Sequence, residues 1–183
     1  MNSNNIENAV KGILFEIGED PSREGLVETP IRVAKMYQEI FSGYNEDYHK
    51  HAKTFSADGA SGLVIINDIG FYSLCEHHMV PFMGNIIIGY IPDKKILGLS
   101  KFARIADVFT HRLQIQERLT KQILDAIVEI LEPKGAAVYI NAKHLCMAMR
   151  GVKKETSKTI TTSFYGLLND DNNLRREFLD STH

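Results

Sequence analysis

The sequence predicts an α+β domain that is built on an antiparallel β-sheet and preceded by a helical N-terminal arm. Apolar residues recur at helical spacing in two segments before residue 44. After residue 62, four segments are rich in β-branched and aromatic residues, and two helical segments lie between the second and the third of them. Because helices do not follow every strand, this order favours an antiparallel sheet whose helices cover one face.

The N-terminal arm is predicted over residues 1–44 as two amphipathic helices. Apolar residues are helically spaced from Ile6 to Ile17, and Gly18 follows as a typical end signal. The second helix begins where Thr29 can cap it and Pro30 can take the first helical position. Residues 45–62 are polar and turn-rich, which predicts a connecting segment with at most one short strand.

One main domain is predicted over residues 63–183. Its four strands are LVIINDIGFYSL (63–74), GNIIIGYI (84–91), AAVYINA (136–142) and KTITTSFYG (158–166). Of the two helices between the middle strands, one opens at Ser100 and the other runs from Ile115 to Leu131, before Pro133. A short helix is expected after the last strand.

Composition narrows the class of protein. The 183 residues are 44% hydrophobic and 24% charged, which suits one core that folds without a disulfide or a structural metal. A net charge of −2 gives no general attraction to nucleic acid or to a membrane surface. The first residues lack the pattern of a signal peptide and no apolar run could span a bilayer, so we expect a cytoplasmic protein. Its two cysteines are then expected to be ligands or core residues.

The segment CEHH, Cys75 to His78, is the first candidate for chemistry. On a strand Cys75 and His77 would share a face, whereas in a tight turn Cys75 and His78 would converge. Adjacent histidines rarely bind the same ion, so one of the two should be free. A free histidine beside a metal is suited to carry protons near neutral pH.

Cys146 is the second cysteine, and His144 lies two residues before it. On a strand these two side chains would point to the same side. Two thiolates and an imidazole favour zinc, and three protein ligands leave one tetrahedral position open to water. The alternative is that buried cysteines and surface histidines lie apart in the fold, and a separation of 71 residues does not decide between the two.

Several charged residues admit two interpretations. The segment 143–158 holds five basic residues and one acid, so it is either a solvated face or a pocket for an anion. The segment 99–122 adds charged and polar groups that are by default helix surface, although cations can bind phosphates and a buried carboxylate can accept paired hydrogen bonds. Ser100 is by default a helix cap. Surface positions are expected for His49, His51, His111 and His183.

Four separated segments, in this order, closely resemble GTP cyclohydrolase I: SLCEHHMVPFMG (73–84), GLSKFARIADVFTHRLQIQERLT (98–120), HLCMAMRGV (144–152) and SKTITTSFYG (157–166). The resemblance implies the tunnelling fold, a four-stranded antiparallel sheet with two helices packed on one face. It also implies a toroidal homodecamer with active sites at subunit junctions. The implied activity, a hydrolase reaction on cyclic C–N bonds, converts GTP to formate and 7,8-dihydroneopterin triphosphate at the start of folate and pterin biosynthesis.

The resemblance also implies roles for individual residues. One zinc ion per subunit would be held by Cys75, His78 and Cys146, and His77 would protonate the imidazole ring of guanine. Glu117 would accept hydrogen bonds from N1 and N2 of guanine with Gln116 beside it, and His144 and Ser100 would serve later proton transfers. The predicted triphosphate contacts are Lys101, Arg104 and Arg150, with Arg32 and Lys35 lining the same pocket. No role follows for Glu76.

Three alternatives stand beside this hypothesis. One is a non-catalytic zinc or nucleotide-binding protein that keeps the outline of the motifs. Another is a different tunnelling-fold enzyme, such as a 7-deazaguanine nitrile reductase, which uses a cysteine nucleophile with NADPH and lacks the Cys, His, Cys set. The third is a structural zinc finger, which is disfavoured because only two cysteines are present and three ligands leave the shell open.

Overall fold

The computed structural model describes residues 1–182, so the predicted surface position of His183 lies outside the described residues. The chain divides into two compact units, the first of which is Met1–Ser42 and the second of which begins at Gly43. The first unit consists of α1 (Ser3–Glu16) and α2 (Thr29–Ile40), which pack against each other. Asn2 caps α1 by accepting a hydrogen bond from the Asn5 N–H at 3.2 Å.

The second unit has a mixed α+β fold, as predicted. Its elements in order are β1 (Thr54–Ser56), β2 (Val64–Cys75), β3 (Pro81–Ile91), β4 (Lys95–Leu97), α3 (Leu99–Thr110), β5 (Leu113–Gln114), α4 (Gln116–Leu131), β6 (Gly135–His144), α5 (Leu145–Ala148), β7 (Thr159–Gly166), α6 (Leu167–Asp170) and α7 (Asn172–Asp180).

The main sheet has five strands in the order β5, β2, β3, β6, β7, and β1 pairs separately with β4. The four long strands are antiparallel neighbours, whereas β5 runs parallel to β2 through the pairs Leu74–Leu113 and Cys75–Gln114. The expectation of a four-stranded antiparallel sheet is therefore corrected to five strands of mixed direction. A two-residue strand has no periodicity of its own, so its sequence carries no signal.

Apolar packing fills both faces of the sheet. Ile86 and Ile88 of β3 are completely buried on the face that α3 and α4 cover. On the other face Ile87 and Tyr139 pack with Phe178 of α7. Full burial of one such side chain is worth about 1.5–3 kcal/mol, so this core dominates the stability of the unit.

The two ends of the sheet differ in what they carry. At one end, called here the cysteine end, β2 stops at Cys75, β3 begins at Pro81 and β6 stops at His144. Helix α3 starts at the opposite end, beyond β4, and runs about 18 Å to reach β5 at the cysteine end. Helix α4 then begins at the cysteine end and returns, so its first turn lies beside the ends of β2 and β6.

Within residues 1–182, every helix is too short or too polar to span a lipid bilayer.

Candidate metal centre and active site

A tight turn follows Cys75, the last residue of β2. Cys75 O accepts hydrogen bonds from the N–H groups of Met79 at 2.8 Å and His78 at 3.3 Å, and the Cys75 N–H donates to Val80 O at 3.0 Å. Met79 takes a left-handed conformation with φ of 53°, which returns the chain to β3. Of the two geometries open to CEHH, the structure has the turn.

The turn brings Cys75 and His78 together with Cys146. One ligand atom from each of these three residues lies within 4.8 Å of the others, which makes a possible Cys, His, Cys metal site. Cys75 is buried, Cys146 is partly buried and His78 is exposed, so the cluster opens to solvent on its histidine side. Two sulfur ligands and one imidazole with an open side are the donor set of catalytic zinc sites.

The thiol of Cys146 is less ready to ionise than an ordinary cysteine. Burial raises the pKa of the Cys146 thiol, and the neighbouring Cys75 raises that pKa further. A divalent ion would offset both effects, because it stabilises the thiolate form that binds it. The raised pKa of Cys146 is therefore compatible with a metal site.

Cys146 does not lie on a strand, contrary to the expectation that it would share a strand face with His144. Strand β6 ends at His144, and Cys146 lies in the single helical turn α5. Leu145, Met147 and Ala148 are good helix formers, and the two-residue spacing on which the expectation rested does not take this preference into account. The change of direction sends the two side chains to different partners.

His77 lies beside the three-residue cluster. Its side chain is exposed, and its Nδ1 is 3.9 Å from Cys75 Sγ. The rings of His77 and His78 are nearly perpendicular, with centroids 6.4 Å apart. Arg150 donates from Nη1 to His78 Nε2 at 2.9 Å, which places one predicted phosphate contact next to the cluster.

Gln116 holds His144 in a defined orientation. Gln116 Nε2 donates to Ile140 O at 3.1 Å, Thr159 O at 3.0 Å and Thr161 Oγ1 at 3.1 Å, so Gln116 Oε1 is the atom that faces His144 Nε2 at 2.8 Å. An amide oxygen only accepts, hence His144 Nε2 carries a hydrogen and neutral His144 keeps Nδ1 as an acceptor.

Packing adds to this control of His144. The imidazole stacks on Phe82 with ring centroids 4.6 Å apart and planes 3° from parallel. Burial lowers the pKa of His144, while the nearby Glu117 carboxylate acts in the opposite direction. The neutral ring is therefore favoured. The Gln116 side chain, expected at the substrate, is itself buried and bonded to protein atoms.

Glu117 and Glu76 both lie near the first turn of α4. Glu117 is exposed in that turn. Glu76, to which the sequence assigned no role, forms an ion pair with Arg118, and its N–H donates to Gln114 O at 3.0 Å. Arg118 is one of the charged residues of segment 99–122, and no local pattern links it to a glutamate 42 residues earlier.

Three of the remaining predicted catalytic and substrate residues are not brought to the cluster within one chain. Ser100, Lys101 and Arg104 lie in the first two turns of α3, which begins at the opposite end of the sheet. Gly98, and not Ser100, is the N-cap of this helix, so the default interpretation of Ser100 as a cap is wrong. Arg32 and Lys35 are exposed on α2 in the first unit, where Arg32 pairs with Glu28.

The other histidines have different surroundings. His49 is exposed, as expected, and its two ring nitrogens face Asp47 and Glu129. His51 and His111 are partly buried, so the expectation of surface positions fails for these two. His51 is held by Glu46, with Nε2 and Oε1 2.8 Å apart.

Comparison with known proteins gives a consistent result over nearly the whole chain. The family model "GTP cyclohydrolase I" matches residues 6–183. A "GTP cyclohydrolase 1" of Leptospira biflexa is 52% identical over 176 residues, covering 96% of each chain. Proteins of the same name from Geobacillus kaustophilus and Bacillus subtilis are 53% and 49% identical, covering 95% and 98% of this chain and 93% and 95% of their own.

Proposed function

The chain belongs to the GTP cyclohydrolase I family, and from this premise we propose that Cys75, His78 and Cys146 form the zinc centre of its active site. The reaction is the hydrolysis of GTP at C8 of guanine, with ring opening, release of formate and rearrangement to 7,8-dihydroneopterin triphosphate. It is the first step of folate and pterin biosynthesis. The observation that carries the proposal is the convergence of the three ligand atoms within 4.8 Å.

Zinc suits the donor set of this cluster. Two thiolates and one imidazole match its preference, and the exposed side of His78 leaves room for a fourth ligand. When bound, zinc supplies Lewis acidity, which makes a water molecule a stronger nucleophile near neutral pH. The chain holds the ligands on two separate elements, the turn after β2 and α5, so the folded domain prepares the site.

His77 is the proposed proton donor to N7 of guanine. Protonation of N7 makes C8 more electrophilic, and an imidazole can exchange a proton near neutral pH. His77 shares the turn of Cys75 and His78 but lies outside the three-ligand cluster, so it stays free for this task. One turn thus supplies two metal ligands and one acid.

Glu117 is the proposed anchor of guanine. Its exposed carboxylate can accept two parallel hydrogen bonds from N1–H and N2–H, whereas adenine lacks this pair of donors. Once a bound base covers this carboxylate, a base without the two donors would leave it unpaired, and that cost in free energy would reject the wrong base. Gln116 contributes through His144, whose acceptor Nδ1 is suited to the later proton transfers. Ser100 lies at the opposite end of the sheet, so it would take part in these transfers from a second copy of the chain.

Triphosphate binding is proposed for Arg150, Lys101 and Arg104, with Arg32 and Lys35 in the same pocket. Arg150 lies beside His78, whereas Lys101 lies about the length of α3 away from the cysteine end. This separation supports the proposal that a second copy of the chain completes the site, as in a homo-oligomer with active sites at subunit junctions. The proposed assembly is the homodecamer of the family, and the proposed fold is its tunnelling fold.

A matched pair of variants tests these assignments, because His77 and His78 are adjacent, exposed and of the same type. Wild type, His77→Asn and His78→Asn are incubated with GTP while formate, the pterin product and bound zinc are measured in the same samples. We expect His78→Asn to lose zinc and activity together. We expect His77→Asn to keep its zinc and still lose turnover.

Two outcomes would contradict the assignments. Full zinc content in His78→Asn would remove His78 from the metal site, and full turnover in His77→Asn would remove His77 from proton transfer. A wild-type protein that binds GTP and zinc without releasing formate would instead identify a non-catalytic relative.

A further inference from the structure

Glu76 is the one residue of the CEHH turn without a role in the proposed function. Its side chain is half-buried and accepts a hydrogen bond from Arg118 Nη2, which forms an ion pair between the turn and the first turn of α4. Arg118 directly follows Glu117. The pair therefore links the segment that carries the metal ligands to the segment that carries the guanine anchor.

Arg118 is fixed by more than this ion pair. Its Nε donates to Gln114 Oε1 at 3.0 Å, and its Nη2 also donates to Leu113 O at 3.1 Å. Gln114 is 1% exposed and donates from Nε2 to Phe109 O at 2.9 Å and to Gln122 Oε1 at 2.8 Å. The guanidinium is thus held in one orientation by the buried Gln114 side chain and the Leu113 carbonyl, and it presents a fixed partner to Glu76.

The backbone makes a second link at the same place. The two-residue strand β5 pairs with the end of β2 through Leu74–Leu113 and Cys75–Gln114, and the Glu76 N–H donates to Gln114 O at 3.0 Å. Strand β5 leads into α4 after one residue. Glu76 is therefore bonded through both its main chain and its side chain to the segment that orients Gln116 and Glu117.

We propose that Glu76 is a positioning residue, which together with Arg118 sets the distance between the metal turn and the guanine anchor. The proposal rests on the proposed function, since only then do the turn and α4 act on the same substrate. Guanine held by Glu117 must present C8 to the groups of the turn, and small misplacements of reacting groups reduce rates strongly. Release of the ion pair would let the turn move relative to α4.

The alternative is that Glu76 and Arg118 form an ordinary surface ion pair without a role in the reaction. Their side chains are 32% and 40% exposed, and pairs of that exposure contribute little to stability. The same fact makes the proposal testable, because removal of the pair should leave the fold intact. A loss of turnover without a loss of stability would then report positioning.

The test compares Glu76→Gln and Arg118→Lys with Asp125→Asn, which removes an exposed ion pair with Lys121 farther along α4. Steady-state kinetics with GTP, zinc content and thermal midpoint are measured for each. We expect kcat of Glu76→Gln and Arg118→Lys to fall by about 10–100-fold, the range found for groups that orient metal ligands. The KM for GTP should change by less than about threefold, because the contacts with the substrate remain.

A double variant shows whether Glu76 and Arg118 act through one shared link or lower kcat independently of each other. Glu76→Gln combined with Arg118→Lys should be no slower than the worse single variant, since both remove the same link. Asp125→Asn should match the wild type. A Glu76→Gln variant with full zinc content and wild-type kcat would overturn the proposal. A double variant whose loss of kcat is the product of the two single losses would overturn it as well. A fall in zinc content would assign Glu76 to metal retention instead. Failure of the wild type to release formate would contradict the proposed function, and this inference would fall with it, whereas wild-type kcat in Glu76→Gln would overturn this inference alone.

Discussion

The middle of the sheet and its cysteine end are made of the same strands, but the side chains buried in the middle are apolar, whereas the cysteine end also buries polar ones. In the middle, Ile88 and Ile140 are completely buried among apolar side chains. Five polar residues are buried within residues 1–182, and all of them lie toward the cysteine end: Ser73, Thr110, Gln114, Gln116 and Thr120.

Each of these buried polar side chains has a hydrogen-bond partner in the protein. Thr120 Oγ1, for example, donates to Gln116 O at 2.7 Å, and Gln116 holds His144. A satisfied polar network fixes orientation but adds less stability than apolar packing of the same volume. Stability therefore comes mainly from the middle of the sheet, whereas orientation of the candidate catalytic groups comes from its cysteine end.

The largest effect on stability is expected from Ile88→Ala, which leaves a cavity between the sheet and α4. The free energy of unfolding should fall by about 2–5 kcal/mol, while turnover per zinc-loaded site should stay near the wild-type value. Urea unfolding at fixed protein concentration and GTP turnover below the unfolding transition would measure the two. The control is Ile13→Ala in α1, at a side chain that is 60% exposed, which should change stability by less than about 0.5 kcal/mol. A loss of turnover in Ile88→Ala without a loss of stability would contradict the assignment of stability to the middle of the sheet and of orientation to its cysteine end.

The long elements of the fold could be predicted because each carries a recognisable pattern of residue types along its length. The apolar period of α4 and the β-branched content of β2, β3, β6 and β7 mark each element locally. Strand β5 could not be predicted in this way. It exists because Leu113 and Gln114 meet the end of β2 in space, and two residues carry no pattern.

The candidate site was predictable to the extent that it lies within motifs. The residues of CEHH left two geometries open, Cys75 with His77 on a strand or with His78 in a turn, and only the family resemblance favoured His78. The structure has the turn and brings His78 to both cysteines. The prediction that Cys146 lies on a strand with His144 was wrong, because spacing alone does not distinguish a strand from the helical turn that follows it. The bond between Gln116 and His144 joins residues 28 apart and has no local signal.

An intermediate effect is expected from Gln116→Met, which keeps the length of the side chain and removes its hydrogen bonds. The loss leaves Ile140 O and Thr159 O without this donor and should cost about 1–3 kcal/mol of unfolding free energy. Turnover should fall as well, because His144 loses the acceptor that fixes its hydrogen on Nε2.

Thr120→Val is the matched control for Gln116→Met. It removes hydrogen bonds to Gln116 O and Thr161 Oγ1 in the same network without touching His144. We expect a stability loss of the same order and nearly unchanged turnover, measured as for Ile88→Ala. Equal losses of turnover in the two variants would show that general loosening of the cysteine end, and not the orientation of His144, controls activity.

The smallest effect on stability is expected from a change at His49, which forms an exposed polar cluster with Asp47 and Glu129 away from the cysteine end. His49 Nε2 and Nδ1 lie 2.9 Å from Glu129 Oε1 and 2.8 Å from Asp47 Oδ1, and hydrogen bonds to Glu129 and then Asp47 raise the pKa of His49. A histidine whose pKa is raised by folding stabilises the folded state fully below its unfolded pKa of about 6.5. That contribution is lost as the pH rises through the raised folded-state value. The stability difference between wild type and His49→Gln should therefore be greatest at acidic pH and vanish at alkaline pH. The turnover of His49→Gln should equal that of the wild type at each pH. Thermal unfolding from pH 5.5 to 9 would measure it, and a difference that grew with pH would mean that the neutral ring, and not the charged one, holds the two carboxylates.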